Sequence, residues 1–104
     1  MSFSIAKPVA ATLVSPINGA SVGTTPTYSW SEVAGATYYY LWVDGPSGNV
    51  IKQWYTSTQA ACNGTTCSVT SPTALTTTGT YSWWIQTWNS LGYGPWSTVA
   101  NFTR

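Results

Sequence analysis

The sequence predicts an all-β domain, a seven-stranded antiparallel β-sandwich, and three features predict it. No stretch carries apolar residues at helical spacing among helix-forming neighbours. Thr, Val, Tyr and Trp dominate instead, residues that suit a pleated, half-buried surface. Turn signals recur about every 8–15 residues, the rhythm of short strands folded over one core.

In chain order, strands are expected over residues 9–15, 26–31, 36–43, 49–56, 66–70, 80–89 and 97–103. Gly, Pro and Asn clusters separate them: Pro16-Ile17-Asn18-Gly19, Gly23-Thr24-Thr25-Pro26, Ala34-Gly35, Asp44-Gly45-Pro46-Ser47-Gly48, Asn63-Gly64, Ser71-Pro72, Thr78-Gly79 and Gly92-Tyr93-Gly94-Pro95. Residues 1–8 read as an N-terminal extension and residues 9–104 as one domain. A chain of 104 residues has room for one such domain and one modest core.

Charge excludes several partners. The net charge is +1, and charged residues make up 5% of the chain, against a typical ~25%. Phosphate binding needs clustered Lys and Arg, so no nucleic-acid partner is expected. The same scarcity argues against an anionic membrane surface. No apolar run approaches the ~20 residues of a spanning helix, and residues 1–12 do not read as a secretion signal.

Catalysis lacks its usual parts. There is no His, the commonest general base. Glu32 and Asp44 are the only carboxylate side chains, and they read as two solvated turn residues with no reason to converge on one bond. No Gly-rich phosphate loop precedes a helix. No enzyme activity and no cofactor are expected.

Cys62 and Cys67 flank the turn signal Asn63-Gly64. A hairpin-like turn there brings two Cα atoms within reach of a disulfide; the other reading is two free thiols on a loop. Two cysteines without His cannot complete a tetrahedral zinc site, so no metal is expected. A disulfide implies an oxidising compartment, and hence a secreted or cell-surface protein.

Particular segments carry a resemblance. "YSWSEVAGATYYYLWV" (28–43) resembles the B and C strands of fibronectin type III-like domains, with Trp30 in the core. Leu75, six residues before Tyr81 in "LTTTGTYSWWIQTWN", is similar to that family's E–F corner, where a Tyr opening strand F hydrogen-bonds back. "GYGPWS" (92–97) resembles the loop leading into strand G, and "SPINGASV" (15–22) the opening of many bacterial members. The resemblance implies an immunoglobulin-like sandwich with strands C and F side by side. The cysteine pair and the high aromatic content lie outside the family pattern.

The resemblance also implies which alternating set faces inward. Leu41, Val43, Tyr81, Trp83 and Ile85 would line the core with Trp30. Tyr38, Tyr40 and Trp42 on strand C, and Trp84 and Trp88 on strand F, would then share one outer face. Trp54 or Tyr55 joins them according to register, and Gln86 with Lys52 or Gln53 supplies polar groups. With roughly half of each ring exposed, five such rings present on the order of 400–600 Å², as large as the largest patch of an ordinary monomer.

Such a face suits a neutral polysaccharide, whose apolar C–H faces stack on rings while its hydroxyls bond to amides and hydroxyls. The expected binding residues are Tyr38, Tyr40, Trp42, Trp54, Trp84, Gln86 and Trp88. Two other readings stand beside it: docking of a neighbouring domain or protein, as in a spacer module of a larger extracellular chain, and cross-strand stabilisation with no partner. The "PWS" segment invites comparison with the Trp-Ser motif of cytokine-receptor modules. Arg104 is the only Arg available for such a ladder, so Trp96 is read as packed over the F–G edge.

Overall fold

The computed structural model describes residues 7–104. Nine strands lie among them: β1 (Leu13–Ser15), β2 (Ala20–Ser21), β3 (Thr27–Ser31), β4 (Tyr38–Gly45), β5 (Gly48–Thr56), β6 (Thr66–Thr70), β7 (Thr80–Asn89), β8 (Gly92–Trp96) and β9 (Ala100–Thr103). They form two sheets. One has the order β1-β3-β6, the other β2-β9-β7-β4-β5, with β8 pairing β7 beside β9. Each of the seven expected strands has a counterpart in this sandwich, and β2 and β8 are additional.

The first strand is shorter than expected. Residues 9–12 are irregular, although the Thr12 carbonyl accepts the Ser31 N–H at 2.8 Å. After β1 the chain turns through Asn18 and Gly19, both at positive φ (55° and 73°), a conformation that Gly and Asn tolerate best. It then crosses to the other sheet, where β2 runs parallel to β9 with Ala20 opposite Phe102. Of the expected extension, residues 1–6 lie outside the described residues. Pro8 is buried, and the neighbouring Val9 carbonyl accepts the Thr87 hydroxyl at 2.8 Å. The last strand also starts late, at Ala100 rather than residue 97.

Period-two alternation sets the core. Along β4, Tyr39, Leu41 and Val43 are fully buried; along β7, Tyr81, Trp83 and Ile85 are at most 1% exposed. Trp30 and Tyr28 meet them from β3, and Phe102 from β9. The rings interlock: Tyr81 stacks on Phe102 at 5.4 Å, Tyr28 meets Trp83 edge-on at 5.2 Å, and Trp30 packs on Tyr39 at 5.5 Å. Burying one side chain of this size contributes about 1.5–3 kcal/mol. The Trp83 indole N–H also donates to the Pro16 carbonyl at 2.8 Å, holding the β1–β2 turn to β7.

Tyr81 makes the expected corner. Its hydroxyl donates to the Thr77 carbonyl at 2.5 Å, with Leu75 fully buried beneath. The ring lies against Gly45, where a Cβ would come within 2.6 Å of Tyr81 Cε2. Glycine is therefore required where β4 turns into β5. The Cys62–Cys67 disulfide closes the loop before β6, with Cα atoms 4.1 Å apart. Closing a loop this small contributes about 2 kcal/mol on the chain-entropy model. Glu32 supports the same loop: its carboxylate accepts the Gly64 N–H at 2.6 Å, so it is not a free turn residue. The disulfide engages both sulfurs of the Glu32, Cys62 and Cys67 cluster.

Candidate ligand-binding face

The residues left over from the core define the opposite side of the larger sheet. Where Tyr39, Leu41 and Val43 point in, Tyr38, Tyr40, Trp42 and Asp44 point out. On β7 the outward set is Ser82, Trp84, Gln86 and Trp88. Pairing of β4 with β7 brings the two sets into rows: Trp42 opposite Trp84, Tyr40 opposite Gln86, and Tyr38 opposite Trp88. On the other flank of β4, Tyr40 faces Trp54 and Trp42 faces Lys52. The open choice on β5 is therefore resolved. Trp54 and Lys52 lie on the outer face, while Tyr55, opposite Tyr39, belongs to the inner set.

Two further rings join them from β8, Tyr93 opposite Trp88 and Trp96 opposite Gln86. Trp96 does not cap the sheet edge. It lies on the outer face, 5.8 Å from Tyr40 and 6.0 Å from Trp42. Gly94 and Pro95 make this segment read as a loop, yet both are accommodated in a strand. A Cβ on Gly94 would collide with Thr87 and with the Pro8 carbonyl. Pro95 lies on an edge segment whose other side pairs with no strand among the described residues, where a missing N–H is tolerated.

The face is corrugated rather than flat. Tyr40 and Trp54 stack, with centroids 4.4 Å apart and planes 10° apart. Most other contacts are steep: Tyr38–Trp88 at 76°, Tyr38–Trp54 at 84°, Tyr40–Trp42 at 81° and Trp42–Trp96 at 85°. The rings bury much of one another, so the expectation of half-exposed rings holds only in part. Tyr38, Trp96 and Tyr93 are 40%, 41% and 59% exposed, whereas Tyr40, Trp42, Trp54, Trp84 and Trp88 are partly buried.

Between the ring walls lie two clefts. One, of about 460 Å³, is lined by Trp42, Asp44, Trp84, Trp96 and Ser97. The other, of about 420 Å³, is lined by Tyr38, Trp54, Trp88 and Tyr93. A larger groove of about 510 Å³ lies away from this face, between the β1–β2 turn and the approach to β9. It has no ring or charged group in its lining.

Polar groups are few and placed. Asp44 is no solvated turn residue. It sits within β4, and its Oδ1 accepts the Trp42 indole N–H at 2.8 Å and the Asn49 amide at 3.2 Å. That fixes the Trp42 ring beside the first cleft. Lys52 Nζ lies 5.0 Å from the centre of the Trp42 ring, a cation–π distance. Gln86 donates to the Gly94 carbonyl at 3.2 Å, an arrangement that fixes its amide beneath Trp96. The face can stack apolar ring surfaces and exchange hydrogen bonds at its rim. Among the described residues, its charged side chains are Lys52 and Asp44.

No protein-family model matches this chain, and neither does any curated protein. Similarity is found among solved structures. A variant of the fibronectin type III domain FN3tt matches with a TM-score of 0.54 and 19% identity, over 95% of this chain and 96% of that one. The multi-modular, cell-surface-expressed chitinase ChiW from Paenibacillus sp. str. FPU-7 matches with a TM-score of 0.62 and 15% identity. That match covers all of this chain and 9% of ChiW. CopC from Methylosinus trichosporium OB3b matches with a TM-score of 0.58 and 18% identity, over 89% of this chain and 91% of that one. At these identities the likeness is one of fold.

Proposed function

We propose that this chain, which has the fibronectin type III-like fold, is a non-catalytic accessory module of a secreted or cell-surface protein and binds a neutral polysaccharide through the outer face of β4, β5, β7 and β8. The observation that carries the reading is the gathering of eight aromatic side chains on one face: Tyr38, Tyr40, Trp42, Trp54, Trp84, Trp88, Tyr93 and Trp96. Fold stability alone does not call for so many rings outside a core that already holds six. Trp84 and Trp88 stack against sugar rings, and Gln86 and Asp44 bond to hydroxyls. The two opposite charges, Lys52 and Asp44, leave the face without the net charge that would select an ionic polymer. The disulfide fits an oxidising environment. A sandwich of this fold inside a cell-surface chitinase supports the accessory role.

A second reading, a spacer or protein-docking domain, is favoured by one observation. The rings already cover much of one another, and that mutual packing stabilises a sheet without any ligand. Affinity electrophoresis through gels containing soluble neutral polysaccharides separates the two. Retardation that is lost in Trp84→Ala and Trp88→Ala supports glycan binding. Free migration in every gel, or retardation that persists in both variants, overturns it.

A further inference from the structure

The shape of the face selects a physical form of ligand, an inference that rests on the glycan reading above. A crystalline polysaccharide presents a flat array of chains, and docking on it needs rings held in one plane. Here four of the seven neighbouring ring pairs on the face stand at 76–85° and only Tyr40 and Trp54 are near parallel, so the rings cannot all lay their faces on one plane. They border two shallow, open recesses instead, each of which can seat a single unit against its rings.

The recesses are aligned with the strands. Trp84 borders one and Trp88 the other. Four residues of β7 separate them, about 13 Å at the usual rise per residue. Between them stands Tyr40, in contact with Trp42, Trp54 and Trp96. Each recess, of about 460 or 420 Å³, has room for a pyranose. Reaching both takes a chain of roughly three linked rings over that span. Beyond the first recess the outer face continues as Ser82 and Asn101, hydrogen-bonded at 2.8 Å. These short side chains leave room for the polymer to run on.

We propose that the ligand is a single soluble glycan chain lying along β4 and β7, with one unit in each cleft and the linking unit over Tyr40. Asp44 borders the first cleft and no charged group borders the second, so the chain binds in one direction.

The test compares one polymer in two physical forms: microcrystalline cellulose with cello-oligosaccharides, crystalline chitin with chito-oligosaccharides, and granular starch with malto-oligosaccharides. Calorimetry should show binding to the soluble members of one series. Affinity should rise at least tenfold, about 1.4 kcal/mol, between the monosaccharide and the trisaccharide or tetrasaccharide. Trp88→Ala, and independently Tyr93→Ala at an exposed edge, should flatten that rise while a monosaccharide still binds weakly at the Trp84 cleft. Binding to a crystalline form alone, or equal affinity for monosaccharide and oligosaccharide, overturns the single-chain proposal and leaves the glycan reading standing. Binding to neither form in any of the three series removes both.

Discussion

Trp54 and Tyr93 come from strands at opposite edges of the outer face, yet their ring centres lie 6.0 Å apart. Three strand spacings, about 14 Å of backbone, separate β5 from β8. The two side chains therefore arch over β4 and β7 to meet. The contact ties β8, an edge segment, to the far side of its own sheet, and it forms one wall of the second cleft.

That arch should register as an energetic coupling. Trp54→Ala and Tyr93→Ala, alone and combined in a double-mutant cycle, should show an interaction of about 0.5–1.5 kcal/mol by urea denaturation. Strict additivity would mean that the two rings touch without stabilising each other.

Adjacent tryptophans on β7 should behave oppositely. Trp83 is fully buried and bonded to the Pro16 carbonyl; its replacement by Ala should cost about 3–5 kcal/mol. Trp84 faces outward opposite Trp42, where a lost cross-strand pair costs about 1 kcal/mol or less. Thermal or urea unfolding of the two variants measures the contrast. Equal losses would mean that Trp84 belongs to the core.

This strand phase was legible before the structure because the outward and inward sets on β7 differ in company. Tyr81, Trp83 and Ile85 continue the pattern of the fibronectin type III resemblance, which leaves Trp84, Gln86 and Trp88 for the other side. Tyr93 and Trp96 were hidden for a local reason. Gly94 and Pro95 are loop residues by composition, and only the pairing of β8 with β7 makes them a strand. Asp44 was hidden by Gly45-Pro46-Ser47-Gly48, which reads as one long turn; β4 in fact runs on to Gly45, and two residues suffice to connect it to β5. The β2 strand, two residues long, is too short for any periodicity. Ring tilt is invisible to sequence altogether, since alternation fixes the side of a sheet and not the angle of an indole.

Two buried tyrosine hydroxyls should give opposite results on removal. Tyr81 donates to the Thr77 carbonyl, so Tyr81→Phe should destabilise by about 1 kcal/mol, or more where the carbonyl is left unpaired. The Tyr28 hydroxyl is buried with no hydrogen-bond partner among the described residues. Its desolvation is uncompensated, so Tyr28→Phe should be neutral or stabilise by about 1 kcal/mol. Chemical denaturation decides it, and a loss for Tyr28→Phe matching that of Tyr81→Phe would show that the hydroxyl is satisfied after all.

The same burial sets an alkaline limit. Desolvation pushes the Tyr28 hydroxyl well above the usual tyrosine range, with smaller contributions from Tyr81 and Tyr55. Tyr39 is also raised, chiefly by burial and slightly by Glu32, against a lowering hydrogen bond from the Val33 N–H. In the unfolded chain both ionise near pH ~10. Well below that pH folded and unfolded states bind the same phenolic protons, and these groups make no pH dependence. Above it the unfolded chain releases protons that the folded core retains, so ionisation stabilises the unfolded state and folding stability falls as pH rises. Each group contributes a slope of at most about 1.4 kcal/mol per pH unit. Urea midpoints at pH 8, 10 and 11 should therefore decline slightly over the lower interval and more steeply over the upper one. Tyr28→Phe should make that decline shallower, because one of the two retained protons is gone. A midpoint unchanged from pH 8 to 11 would mean that these hydroxyls reach water in the folded protein.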